Sequence, residues 1–407
     1  MTPPLHGKLY TPGMQIVGMT RHGSALLAAT ALLGSVHEAR ADEAQPPATF
    51  QLGGYAEGFY QWNFGRPSNG ITHYRGFDNR HNTFTLSNVA LSASWDMERI
   101  VGLVALQVGH TPSTYYLAEP ALAGASGTNA TSAELWKYVQ QAYAGYRFDI
   151  GRGLLVQAGL FLSPIGPEGM AVRDNWNFSR SNLFFGLPFY HTGARVTYPL
   201  SDAWALTLAC YNGWNSVVDN NEEKSLGAQV TYTRPDKLAL SLLYFTGVER
   251  PRGAPEGRAW RHLVDAHATV HPTDRLSFIA HLNGGTEPNR FGTSAWIAGA
   301  LYARVRVSDK LYLAARGDAF HERVPSNGNG EGAAAAIFWP VSWVASGTAT
   351  ADFRPHERAS FRLEYRHDHA AGNMYFGGAV PGNGVDAPFV PNRPAQDTVT
   401  LGATTWF

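Results

Sequence analysis

The sequence predicts an all-β protein, a transmembrane antiparallel up-and-down β-barrel of about 16 strands with its third long loop folded into the lumen. Three observations carry this. Segments of roughly ten residues alternate apolar and polar side chains, as strands with one face to lipid and one to a lumen require. The connections between segments alternate between short and long without exception. The last segment runs to a terminal aromatic residue, Phe407.

Composition agrees with a surface that is not all in water. Of 407 residues, 44% are hydrophobic and only 16% charged, against a usual charged share of about 25%. No long apolar run follows the N-terminal region, which excludes a bundle of membrane helices.

Residues 1–41 read as an N-terminal extension and secretory signal peptide. Arg21 and His22 precede a small apolar run from Ser24 to Val36, and Ala39-Arg40-Ala41 is a small-residue cleavage pattern. Met19 is an alternative start. Residues 42–407 form the barrel and hold 29 basic and 31 acidic residues, so nucleic acid is not an expected partner. Cys210 is the only cysteine, which rules out an intrachain disulfide.

The sixteen segments fall at 50–63, 82–97, 101–110, 135–149, 154–163, 190–199, 204–214, 224–233, 238–249, 259–271, 275–285, 293–307, 311–322, 340–353, 358–369 and 395–407. In the eleventh, Leu276, Phe278, Ala280 and Leu282 share one face, and Ser277, His281 and Asn283 share the other. In the twelfth, Ile297, Gly299, Leu301, Ala303 and Val305 oppose Tyr302, Arg304 and Arg306. In the fifteenth, Phe361, Leu363 and Tyr365 oppose Arg362, Glu364 and Arg366. A soluble sandwich also alternates, but its turns do not sort into two length classes.

The short turns carry Gly, Pro, Asp or Ser, as tight turns need. The long connections are 64–81, 111–134, 164–189, 215–223, 250–258, 286–292, 323–339 and 370–394. With both termini in the periplasm, every long connection faces outward. The last segment places Val399, Leu401, Ala403, Thr405 and Phe407 on one face. It ends as a strand because it must pair with the first, since a membrane barrel tolerates no open edge. Phe407 is expected in the aromatic girdle and as an assembly signal.

The connection 164–189 shows no helical pattern and is too long to be an idle linker. Trp176, Phe178, Leu183, Phe184, Phe185, Leu187 and Phe189 give it material to pack, and the lumen is the available place. The stretches "GLFLSPIGPEG", "NWNFSRSNLFFGLPFYHTGARVTY", "YNGWNSVVDNNEEKSLGAQVTY" and "YFTGVE" cover roughly residues 155–250 and resemble the OmpL-like family of β-barrel porins. The resemblance implies a Gram-negative outer-membrane barrel acting as a diffusion channel, with no catalytic residues. It also allows a homotrimer.

Alternation places Arg195, Arg304, Arg306, Arg316, Arg362 and Arg366 on the lumen wall, with Asp318, Asp352 and Glu364 among them. The third loop adds Glu168, Arg173, Asp174 and Arg180 as constriction residues. Six arginines against three acids predict a weak anion preference. The competing reading is that these arginines pair with acids and brace a wet wall. Tyr60, Trp62, Trp95, Trp204, Tyr232, Tyr244 and Trp343 fit interfacial belts better than a sugar-stacking path.

Other constellations carry less. His367-Asp368-His369, with His356 nearby, has two histidines on one strand face but no evident third ligand, so no metal site is assigned. Ser179 and Ser181 lie near His191 without a nucleophile elbow or an orienting Asp, so no enzyme is assigned. The segments 327–332 and 383–388 read as flexible loop tips, and no cofactor motif is present.

The expected function is passive diffusion of small hydrophilic solutes or ions across the outer membrane, after export through the periplasm. The expected partners are outer-membrane lipids, the barrel assembly machinery and the solutes. The alternative is a non-conducting surface barrel, an adhesin or structural anchor.

Overall fold

The computed structural model describes residues 49–120, 131–325 and 336–407. The predicted signal peptide and the 327–332 loop tip lie outside the described residues. Sixteen strands form one closed antiparallel barrel. They are β1 Thr49–Asn63, β2 Thr83–Met97, β3 Ile100–Val108, β4 Val139–Phe148, β5 Leu154–Leu162, β6 Tyr190–Pro199, β7 Trp204–Tyr211 and β8 Ser225–Arg234. The second half comprises β9 Leu238–Val248, β10 Trp260–Val270, β11 Leu276–Asn289, β12 Gly292–Arg306, β13 Leu311–Arg323, β14 Trp343–His356, β15 Ala359–Ala370 and β16 Ala395–Trp406. Each strand pairs with its chain neighbours, and β16 returns to β1 from Tyr55↔Trp406 to Asn63↔Thr398.

The alternation resolves as a lipid-type surface outside and a polar interior. On β15, Phe361, Leu363 and Tyr365 are exposed while Arg362, Glu364 and Arg366 are buried. On β11, Phe278 and Leu282 are exposed while Ser277, His281 and Asn283 are buried. A water-soluble sandwich has the opposite polarity. The predicted belt residues stand on the outer face, where Trp204 and Tyr232 pair at 4.8 Å between ring centroids.

Chain closure follows the prediction. The backbone N–H of Phe407 donates to the Gly54 carbonyl at 3.1 Å, and its ring is exposed on the outside. The short turns are tight enough that Glu98 and Asp236 adopt left-handed backbone, with φ of 54° and 57°.

Two expectations need correction. The connection 286–292 is not a long loop, because β11 and β12 pair down to Asn289↔Gly292 and leave only Arg290 and Phe291 unpaired. The Asn289 carboxamide oxygen accepts the Phe291 N–H at 2.8 Å, a local turn that replaces the loop suggested by Gly, Pro and Asn in the sequence. The connection 164–189, read as lacking helix, contains a one-turn helix. Counting helices in chain order as α1 His110–Tyr115, α2 Ala133–Trp136 and α3 Asn182–Phe185, α3 is the one in this loop. Ser181 caps it by accepting the Phe184 N–H.

Candidate functional site in the barrel interior

Strand register sets the inward side chains in rows across the wall. One row runs Tyr302, Arg316, Thr348, Arg366, Thr398. The next toward the long-loop end runs Ala300, Asp318, Ser346, Asp368, Gln396. On the other side, Arg304, Ala314, Thr350, Glu364 and Thr400 precede Arg306, Tyr312, Asp352, Arg362 and Gly402. An arginine row (Arg316, Arg366) thus lies one pleat from a carboxylate row (Asp318, Asp368), and the two rows on the other side mix both signs, Arg304 with Glu364 and Asp352 with Arg306 and Arg362.

The third outer loop bonds to these rows. Arg316 donates to Glu168 at 3.1 Å, to the Ser179 carbonyl at 2.6 Å and to Asp318 at 3.2 Å. Glu364 accepts the backbone N–H groups of Phe178 at 2.6 Å and Ser179 at 3.0 Å. Arg362 donates to the carbonyls of Val172, Asn177 and Asn175 at 2.9, 3.0 and 2.7 Å. Asp318 accepts the Asn182 N–H at 3.0 Å. Arg366 reaches the Ser179 hydroxyl and the Asn182 carboxamide, each at 3.3 Å, and pairs with Asp368 at 2.7 Å. Carboxylates thus hold loop N–H groups and guanidiniums hold loop carbonyls, each in its charge-assisted role.

Glycine lets the loop approach. A Cβ on Gly402 would lie 2.3 Å from the Phe178 ring, and one on Gly186 would lie 2.4 Å from the Phe320 ring. Either methyl would force the loop off the wall.

The other constriction candidates divide. Glu168 accepts the Ser181 N–H at 3.0 Å, and Arg180 donates to the Phe178 carbonyl at 2.9 Å, so both shape the loop itself. Arg173 lies over the Tyr55 ring at 5.2 Å and pairs with Asp174 at 3.6 Å. Arg195 lies over Phe161 at 4.2 Å and bonds Gln157 at 2.9 Å, away from the arginine rows. Arg304 lies over Trp176 at 4.7 Å. Asp352 is shared by Arg354 at 2.7 Å and Arg362 at 3.5 Å. Arg306 ends β12 on the same row as Tyr312.

Sequence reasoning missed several members. Glu57 on β1 accepts the Val172 N–H at 2.8 Å, although alternation with Tyr55 and Phe59 places it inward. Asp265 accepts the Gly166 N–H at 3.2 Å and bonds His281 at 2.6 Å, fixing the start of the third loop to β10 and β11. Arg75 and Asp78, from the first outer loop, join Asp368, with the Arg75 to Asp368 contact at 3.0 Å. No sequence signal marks Arg75, because a loop has no period.

The considered metal and hydrolase sets do not assemble. His367 and His369 point outward while Asp368 points inward, and no metal-holding group exists among the described residues. His191 bonds the Gly213 carbonyl and Ser163, at 3.0 and 3.2 Å, rather than Ser179 or Ser181.

A closed sixteen-strand barrel with an apolar exterior and a charged interior defines a porin-type outer-membrane barrel. The chain belongs to the family described as "Putative beta-barrel porin-2, OmpL-like", which matches residues 49–407. A search of curated proteins gave no match. Among solved structures, the anion-selective porin from Comamonas acidovorans is similar at 12% identity and TM-score 0.55, over 88% of this chain and all (100%) of that one. The channel DcaP of Acinetobacter baumannii is similar at 11% identity and TM-score 0.53, over 90% of this chain and 99% of that one. A trimer form of OmpT from Vibrio cholerae is similar at 10% identity and TM-score 0.54, over 89% of this chain and 100% of that one. Family and fold together are those of a passive diffusion channel in the Gram-negative outer membrane.

Proposed function

We propose that the barrel passes small hydrophilic solutes and ions with a weak anion preference, and that the third loop lies in the lumen as its constriction. The observation that carries this is the bonding of Gly166 to Asn182 to inward side chains of β1, β10, β13 and β15. Glu168, Arg173, Asp174 and Arg180 stand on that loop, where Glu168 meets Arg316, Arg173 lies over Tyr55 and Arg180 bonds the Phe178 carbonyl. Arg316, Arg362 and Arg366 are held in ion pairs, so the preference rests on Arg195 and Arg304, which have no carboxylate in ion-pair contact among the described residues. Residues 1–41 direct export through the periplasm, Phe407 serves the barrel assembly machinery, and the outer face takes lipids and the contacts of a homotrimer.

The test is conductance of the refolded barrel in a planar bilayer. Discrete steps that grow when the loop is shortened between Gly169 and Gly186 support the reading, as does a reversal potential of anion sign. Clear cation preference overturns the selectivity. A second reading, a plugged surface anchor, draws on one observation. An apolar cluster joins Leu183 and Leu187 of the third loop with Trp339, Met374 and Tyr375 of the last two loops. A folded barrel that stays silent in the bilayer favours that reading.

A further inference from the structure

The loop network leaves one cationic corner of the interior unused. Arg304 has no hydrogen-bond acceptor and no carboxylate in ion-pair contact among the described residues, and its contacts are two ring faces. Its guanidinium carbon lies 4.7 Å from the Trp176 centroid and 5.5 Å from that of Tyr312. Arg354 lies over the same Tyr312 ring at 5.0 Å. The nearby acid, Asp352, is already taken by Arg354, Arg362 and the Ser360 hydroxyl, the last at 2.6 Å. Arg362 in turn spends its outer nitrogens on loop carbonyls. Three guanidiniums thus surround one carboxylate, and His271, the other titratable group facing Arg304, bonds Ser277 at 2.8 Å.

Ring contact favours the positive charge but accepts none of the in-plane N–H donors. The fork of an arginine matches a carboxylate bidentately. Flanking indole and phenol rings suit an organic body rather than a bare inorganic ion. Trp176 is held in place because Arg362 grips the carbonyls on either side of it, at Asn175 and Asn177. The corner is therefore built jointly by wall and loop.

We propose that Arg304 and Arg354, with Trp176 and Tyr312, form a binding site for small organic carboxylates at the short-turn end of the lumen. This rests on the reading that the lumen admits solutes. The test is equilibrium dialysis of radiolabelled benzoate against the folded, detergent-solubilised full chain, beside bilayer conductance of the same preparation. Saturable binding near one benzoate per chain is expected, weakened at least tenfold in Arg304→Gln and also weakened in Arg304→Lys, which keeps the charge but loses the fork. Arg275→Gln, an exposed charge at the same rim, controls for general electrostatics and should bind as the parent does. Trp176→Phe serves should Arg304→Gln fail to fold, and weaker binding is again expected. Absence of saturable binding overturns the site, as does equal binding by Arg304→Gln or equal competition by inorganic phosphate. Conductance without benzoate binding sinks this site alone. A silent barrel that also fails to bind sinks the channel reading with it.

Discussion

The third loop meets two different walls. Toward β13 to β15 it is held by directed, charge-assisted bonds, with Arg316, Arg362, Glu364, Arg366 and Asp318 each engaging particular loop atoms. Toward β5 and β6 it is held by shape. Leu160, Leu162, Met170, Phe184 and Tyr190 pack with Phe77, Tyr115 and Tyr116 from the first two outer loops, and Phe77 touches Phe184, Phe185 and Phe189. One buried carboxylate serves this side. Glu119 accepts from the Tyr190 hydroxyl at 2.8 Å and from the Val217 N–H at 2.9 Å, and burial pushes its carboxyl above the ordinary range. The difference teaches that position and stability have separate sources. Ionic bonds choose which loop atom meets which wall atom, whereas apolar contacts tolerate small slips.

The largest effect should follow from breaking the ionic side. Arg316→Met strands buried Glu168 and Asp318, and a cost of about 3–5 kcal/mol is expected. Denaturant midpoints of the folded barrel measure it, and a loss below about 1 kcal/mol would mean that the pairs are dispensable. Phe184→Ala cuts into the apolar packing toward β5 and β6, with an expected loss of about 3 kcal/mol. Its open-channel current should stay as quiet as the parent's. Noise equal to that of Arg316→Met would erase the distinction between the two walls.

Glu364→Gln is milder. The amide oxygen still accepts one loop N–H, so about 1–2 kcal/mol is expected together with increased current flicker. Unchanged noise at reduced stability would assign Glu364 to the shape-only class.

The smallest effect concerns pH in the second outer loop. Burial, then the Arg80 charge, pushes the His110 imidazole down to about 4 from its ordinary value of 6.5. The folded loop keeps the ring neutral while the unfolded loop protonates it. Stability from this group is therefore present above pH 6.5 and is lost progressively as pH falls toward 4. Protease cleavage within the loop should rise over that window, and His110→Gln should flatten the rise. An identical slope in both proteins would remove His110 as the cause.

Much of this was legible from period alone. Alternation assigned Arg316, Asp318, Arg362, Glu364 and Arg366 to the interior because a strand permits only two faces. It could not pair them, since which arginine and carboxylate share or adjoin a row depends on register between neighbouring strands. The count of six arginines against three acids therefore overstated the free positive charge. It omitted Glu57, Asp265 and Asp368, and it did not foresee that Arg362 would be used on loop carbonyls. The connection 286–292 was misread because Gly, Pro and Asn also fit the end of a long hairpin, where Glu287 and Pro288 still pair with Ser294 and Thr293. Arg75 and Asp78 carried no warning, since loop residues reach the interior by tertiary folding.

The seam between β1 and β16 has a temporal consequence. Tyr55 meets Trp406 there, and Gln61 and Asn63 bond Thr400 and Gln396 across it at 3.2 and 3.4 Å. The bonded partners lie 339 and 333 residues apart in the sequence, so no short stretch of nascent chain can make them early. Closing so long a loop costs on the order of 5 kcal/mol in chain entropy, and the seam's ladder of bonds offsets this only when formed together. Every other strand pair can zip locally from its own hairpin. The seam is thus the final, all-or-none step of assembly, and a chain halted before it carries two unpaired edges ready to join another chain.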